Sequence, residues 1–189
     1  MRGDATVSLT RPAPQATLSR EGKGALTIGV SPKLIQMSQI HIDPPHRPEF
    51  STRVALSEDA PAVARLLAQL GYTASDALIA GKLRLFAASE CDEAFVAIAS
   101  GRVVGCIGLH AHELFHAAGR LGRITALVVD KASRGSGAGR ALIEAADSWF
   151  RSRGCIRAEV TSGDERADAH RFYVANGYQA DERRFVKRF

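Results

Sequence analysis

The order of hydrophobic periods along the chain predicts an α/β fold built on one sheet. Three observations carry that expectation. Apolar residues recur at helical spacing over 63–70 and 142–150, and they run or alternate at strand spacing over 94–109, 123–129 and 155–160. Gly, Ser, Asn and Asp clusters punctuate the changes of period. With 189 residues, of which 46% are hydrophobic and 24% charged, the chain has the composition of a globular protein able to bury a sizeable core.

Residues 1–50 read as a disordered or extended tail, and 51–189 as the folded domain. Pro12, Pro14, Pro32, Pro44, Pro45 and Pro48 break the first stretch, which sustains no period. Arg2, Arg11 and Arg20 surround no continuous apolar segment, so a secretory signal is not expected. Met37, where composition changes, is a candidate start. No apolar run approaches transmembrane length, and no membrane partner is expected.

The domain begins with Arg53-Val54-Ala55-Leu56, a short strand that ends in the capping cluster Ser57-Glu58-Asp59. A first helix carries Val63, Leu66, Leu67 and Leu70 and stops at Gly71. Ser75-Asp76 caps a second, which carries Leu78, Ile79, Leu83 and Phe86. The period then changes. Residues 94–99, the Ser100-Gly101 turn and 102–109 predict an antiparallel hairpin. After a turn near Ala118-Gly119 comes a long strand, 123–129. Beyond it Leu142, Ile143, Ala146, Trp149 and Phe150 share one helical face, and Gly154 ends that helix. A strand over 155–160, a helix over 166–176 ending at Asn176-Gly177, and a final strand over 178–189 complete the reading.

Between the long strand and its helix lies Asp130-Lys131-Ala132-Ser133-Arg134-Gly135-Ser136-Gly137-Ala138-Gly139-Arg140. Three glycines in five residues let backbone N–H groups converge on an anion, and the unpaired N–H groups of the helix start add to the same field. The spacing is not that of a Walker A loop, because counting from Gly135 puts Arg140 where the second glycine belongs. The dinucleotide fingerprint fails too: starting at Gly135 it meets Arg140, and starting at Gly137 it meets Leu142.

What stands there is Arg134-x-x-Gly137-x-Gly139, which resembles the acetyl-coenzyme A loop of the GCN5-related N-acetyltransferase (GNAT) superfamily. A second motif agrees: Ala169-His170-Arg171-Phe172-Tyr173-Val174-Ala175-Asn176-Gly177-Tyr178 is similar to the family's Ala-x-x-Phe-Tyr-x-x-x-Gly-Phe/Tyr. The resemblance runs from about residue 52 to the end. It implies a mixed, mostly antiparallel sheet of about 6–7 strands with about four helices, of the acyl-CoA N-acyltransferase type. The implied reaction is direct acetyl transfer from acetyl-CoA to a primary amine in a ternary complex.

Carried over by position, Leu127, Val128 and Val129 meet the acyl and pantetheine part, in a strand that splays from its neighbour. An N–H near Val128 or Val129 would polarise the thioester. The amides of Arg134, Gly135, Ser136, Gly137, Ala138, Gly139 and Arg140 hold the pyrophosphate. Tyr173 matches the general acid that protonates the departing thiolate. A phenol of ordinary pKa about 10 suits a leaving group of comparable basicity.

Two positions depart from the family pattern. Arg166 stands where many members carry an asparagine seven residues before the tyrosine, so that cofactor contact is lost or made by a different group, and Thr125 stands where a glutamate often relays the substrate proton. No general base follows by motif, and His110, His112, Glu113 and His116 after the hairpin are candidates. His170 reads as structural. Cys91, Cys106 and Cys155 lack metal-ligand spacing, so no metal is expected, and they read as reduced residues of a cytoplasmic protein.

The expected partner is a small-molecule or peptide amine acceptor, with a homodimer left open. The net charge of +5 permits a polyanionic partner, but no aromatic and basic interleaving suggests nucleic acid. Arg183-Arg184 and Lys187-Arg188 read as the solvated side of the last strand. A non-catalytic acyl-CoA-binding sensor or interaction domain is the alternative reading.

Overall fold

The sheet grows outward from one hairpin. Ser100 and Gly101 take φ of 49° and 72°, the paired positive values of a tight hairpin turn, and join β2 (Asp92–Ala99) to β3 (Arg102–Glu113). The computed structural model describes residues 50–181 and 185–188, all within one compact unit, Asp43–Phe189. The tail assigned to 1–50, apart from Phe50, and the candidate start at Met37 lie outside the described residues.

β1 (Ser51–Val54) pairs antiparallel with β2, and β4 (Arg120–Val129) antiparallel with β3. β5 (Cys155–Val160) then joins β4 in parallel, giving the order β1-β2-β3-β4-β5. The predicted mixed, mostly antiparallel sheet is therefore present, with five strands among the described residues rather than six or seven. The difference lies at the end of the chain. Residues 178–181 and 185–188 join no ladder, and Phe185 and Val186 are 91% and 63% exposed, so they bury no face against the sheet. Arg183 and Arg184 lie outside the described residues.

Two helices cover one face. α1 (Ala60–Ala68) and α2 (Asp76–Ala87) bury Val63, Leu66, Ile79 and Leu83 against Val96, Cys106 and Val128. Ser75 caps α2 as its side chain predicts, accepting the N–H of Leu78 at 3.2 Å. On the other face α3 (Ala138–Ser152) buries the whole stripe read from its spacing, Leu142, Ile143, Ala146, Trp149 and Phe150, against Ile107, Leu109 and Ile124. Each large apolar side chain so buried contributes about 1.5–3 kcal/mol, enough for α3 to anchor the strands on either side of it. Gly122 permits that contact, because a Cβ there would lie 2.5 Å from the Phe150 ring. Cys91, Cys106 and Cys155 are all free, and burial pushes the Cys106 thiol up to about 12.

The first crossing is pinned by a buried carboxylate. Asp59, 7% exposed, accepts from Arg53 Nη1 at 2.6 Å, Nη2 at 2.8 Å and the Leu56 N–H at 2.8 Å. The Arg53 hydrogen bonds hold its carboxyl below the usual carboxylate range. Because the folded pKa lies under the unfolded value of about 3.9, this contribution is complete above that value and is lost as pH falls through the folded one. Asp59→Asn is expected to cost about 1–3 kcal/mol at pH 7, discounted because Arg53 is part exposed. Denaturant unfolding checks it: the gap between the proteins should close below about pH 4.

Candidate active site

A single extra residue in β4 sets up the site. β4 pairs with β3 as Leu127↔Ile107 and Gly108↔Ala126, but the next partner of Leu109 is Ile124, which leaves Thr125 as a bulge. Gly108 makes room for it, since a Cβ there would meet Thr125 Oγ1 at 2.8 Å. The bulge inverts the alternation of β4. Ile124 packs toward α3, and after Thr125 it is Leu127 and Val129 that pack on that face while Val128 joins the α1/α2 core.

β5 leaves β4 at the same point. Their ladder ends at Ile124↔Val160, while β4 runs on to Val129 paired only with β3. Asp130 donates its N–H to Val104 O at 2.8 Å, and backbone groups alternate sides along a strand, so Ala126 and Val128 also face β3. Leu127 and Val129 thus turn their N–H and C=O groups toward the opening. Of the two residues expected to polarise a carbonyl, Val128 presents its N–H to β3 and only Val129 faces the gap. Leu127 is the second such group.

The opening is a cleft of about 80 Å³ between β4, β5 and α4 (Ala167–Ala175). Thr125, Ala126 and Leu127 form one wall, and Ser162, Arg166 and Tyr173 another, with Leu70 and Tyr72 at the α1–α2 connection. Tyr173 is held edge-on between Phe172 and Tyr178, with ring centroids 5.4 and 5.6 Å away. Burial raises its phenol above the ordinary value, and the Arg166 charge works against that shift. Burial pushes Tyr178 further, to about 12. The Ser162 hydroxyl is buried without a hydrogen-bond partner among the described residues, which costs free energy as long as it stays unpaired.

At the far end of β4 lies the glycine turn. Gly135 and Gly137 take φ of 74° and 107°, and Gly137 is the N-cap of α3. A Cβ at either would meet nothing within 4 Å, so the backbone conformation is what demands glycine there. Gly139 answers a different need: a Cβ on it would lie 3.1 Å from the Phe172 ring, so it lets α4 approach α3. Ala141 makes the first helical bond, to Gly137 O, so the N–H groups of Ala138, Gly139 and Arg140 have no acceptor within the helix. The Arg140 side chain turns to Glu144, at 2.9 Å. Ser136 donates to the Ser133 carbonyl and closes the turn on itself.

Gln69 at the end of α1 braces this turn. Its Nε2 donates to Asp130 Oδ2 at 2.9 Å, and its Oε1 accepts from the Lys131 N–H at 3.1 Å, while Asp130 Oδ1 caps Ala132 at 2.9 Å. The Gln69 bond holds the Asp130 carboxyl below the usual range. Sequence reasoning missed this brace, since a pair 61 residues apart leaves no local signal. It missed Ser162 and Tyr72 as well.

The histidines stand elsewhere. β3 continues to Glu113, so His110 and His112 lie within the strand instead of after it. His110 Nδ1 is 2.8 Å from Asp92 Oδ1 and its ring stacks on His112, and neither lines the cleft. Behind the bulge a second, apolar cavity of about 190 Å³ lies under α1 and α2 and shares Thr125 and Ala126 with the cleft. Among the described residues no cluster suits a metal ion, and no helix is long and apolar enough to cross a membrane.

Comparison with known proteins bears on this arrangement. The acetyltransferase (GNAT) family profile matches residues 62–178. Aminoalkylphosphonate N-acetyltransferase of Salmonella typhimurium is 38% identical over 92 residues, 49% of this chain and 60% of that protein. Glucosamine 6-phosphate N-acetyltransferase of Trypanosoma brucei brucei is 36% identical over 85 residues, 44% of this chain and 56% of that protein. The chain thus matches less than two thirds of the length of either relative. Among solved structures, a Trypanosoma brucei acetyltransferase superposes with a TM-score of 0.63 at 26% identity, covering 75% of this chain and 100% of the other. Glucosamine-6-phosphate N-acetyltransferase from Arabidopsis thaliana shares the fold, with a TM-score of 0.66 at 22% identity over 75% of this chain and 99% of that one.

Proposed function

The chain belongs to the acetyltransferase (GNAT) family, and from that premise we propose that it transfers an acetyl group from acetyl-CoA to a small primary amine by direct attack. The observation that carries the reading is the parting of β4 from β5 at Thr125, with the glycine turn at one end of the free edge and Tyr173 at the other. The residues fit the co-substrate. Unpaired amides at the start of α3 suit its pyrophosphate, the free edge of Leu127 and Val129 suits the amides of its pantetheine, and the orphan Ser162 hydroxyl awaits a partner. Acetyl-CoA supplies an activated thioester, and this chain's residues orient it. The N–H of Leu127 or Val129 stabilises charge on the carbonyl oxygen, and Tyr173, kept protonated by burial, gives its proton to the departing sulfur.

The relatives named for aminoalkylphosphonate and glucosamine 6-phosphate support a small-molecule acceptor for this chain. Three free cysteines are in keeping with a reducing, cytoplasmic setting. One observation favours the alternative of a non-catalytic acyl-CoA sensor: among the described residues no carboxylate or imidazole lines the cleft to act as base. Calorimetry with acetyl-CoA, followed by thiol release across a panel of amines, tests both. Binding with release supports the enzyme, binding without release the sensor, and no binding overturns the proposal.

A further inference from the structure

Resting on the acetyl-transfer reading, we propose that the cavity under α1 and α2 seats an apolar group of the acceptor, which is therefore an arylalkyl or branched alkyl amine. The cavity has a physical cause. On the sheet side lie Ala55, Ala94, Cys106 and Ala126, whose side chains are too short to fill the space below Val63, Leu83 and Phe86 on the helices. About 190 Å³ stays open. Protein cores leave few voids larger than a water molecule, and one of about 150 Å³ lined by Leu, Ile and Phe stays dry and takes up benzene. The space here suits a phenyl ring or a branched alkyl chain.

The walls select against polar groups. Among the described residues no carboxylate or imidazole lines the cavity, and its one charged side chain, Lys82, is exposed. Burial pushes the Cys106 thiol up to about 12, so that wall is neutral as well. A charged or heavily hydroxylated substituent would lose its hydration there and gain no partner.

Position gives the cavity to the acceptor and not to the co-substrate. Leu127, Val129, Ser162, Tyr173 and the glycine turn, which suit acetyl-CoA, are absent from its lining. It meets the cleft at Thr125 and Ala126, where β4 parts from β5. Thr125 is exposed although β4 lies between β3 and β5, so the ground between the two spaces is open. An amine whose nitrogen reaches the thioester beside Thr125 can lay its substituent into the cavity. The acetyl group is too small to fill it, which leaves the volume to the other substrate.

Thiol release from acetyl-CoA with phenethylamine, isopentylamine, ethanolamine and 2-aminoethylphosphonate tests this, with acetyl-CoA binding measured by calorimetry in parallel. The expected kcat/KM is about 10- to 100-fold higher for phenethylamine and isopentylamine than for ethanolamine, the range that burial of a ring or branched chain supplies. The aminophosphonate should do no better than ethanolamine. Ala94→Leu, which fills the cavity from its floor, should shrink the ratio of phenethylamine to ethanolamine about 10-fold or more. Leu83→Ala enlarges it and should raise the ratio of 2-(1-naphthyl)ethylamine to phenethylamine about 10-fold. Where a variant does not fold, the wild-type series decides alone. Ethanolamine or the aminophosphonate matching phenethylamine, or ratios unmoved in both folded variants, overturns the inference while acetyl transfer stands. Butyryl-CoA preferred to acetyl-CoA with ethanolamine overturns it too, by giving the cavity to the donor's acyl chain. If acetyl-CoA binds and no amine releases thiol, the transfer reading fails; phenethylamine binding to that complex by calorimetry then still supports the apolar site, and its failure to bind overturns it.

Discussion

Tyr173→Phe lowers the turnover number about 10²- to 10³-fold and leaves the affinity for acetyl-CoA within about twofold, the range expected when a positioned general acid is lost. The variant keeps the ring, and with it the edge contacts to Phe172 and Tyr178, so the fold of α4 has no reason to change. Only the proton donor is gone. Turnover by thiol release and affinity by calorimetry separate the two effects, and equal turnover in the variant removes Tyr173 from the mechanism. The pH dependence carries a sign. Burial raises this phenol, with Arg166 opposing, so the acid form persists through neutral pH, and a fall in wild-type turnover from this group begins only near or above its ordinary pKa of about 10.

Gly137→Val is expected to weaken acetyl-CoA binding about 10- to 100-fold, or roughly 1–3 kcal/mol, the cost of holding a branched residue in a left-handed conformation. At φ 107° and ψ −10° the backbone lies where a β-branched residue is strained, although a Cβ there would touch nothing. The effect is therefore conformational: the turn relaxes, and its amides no longer converge. Calorimetry checks it, and an unchanged dissociation constant means that the turn is not the phosphate cradle.

Local chemistry explains which parts of the fold were legible in the sequence. The apolar stripe of α3, the Ser75 cap, the Ser100-Gly101 turn and the stop at Asn176-Gly177 are decided within a few residues, and each stands where its pattern predicts. The failures share a cause. Of the strand expected over 178–189, the described residues 178–181 and 185–188 join no ladder: a strand needs a partner edge, and alternation along one segment does not reveal whether one exists. The same holds for the site. Tyr173, singled out by its motif, lines the cleft, whereas the Gln69–Asp130 brace and the orphan Ser162 arise from tertiary neighbours. The direction of the Val128 N–H is likewise set by the bulge, which is visible only in the register with β3.

That bulge makes β4 a strand with a reading frame. Upstream of Thr125 the chain is phased to bury Ile124 under α3. Downstream it is phased one step later, so that the apolar side chains of Leu127 and Val129 still find that core while their backbone groups turn toward the cleft. A residue gained or lost here would act like a frameshift, exchanging the inward and outward sets from there to Asp130. Loops around the cleft can change length and retune the acceptor, but the spacing from Ile124 to the glycine turn is fixed by this one slipped residue.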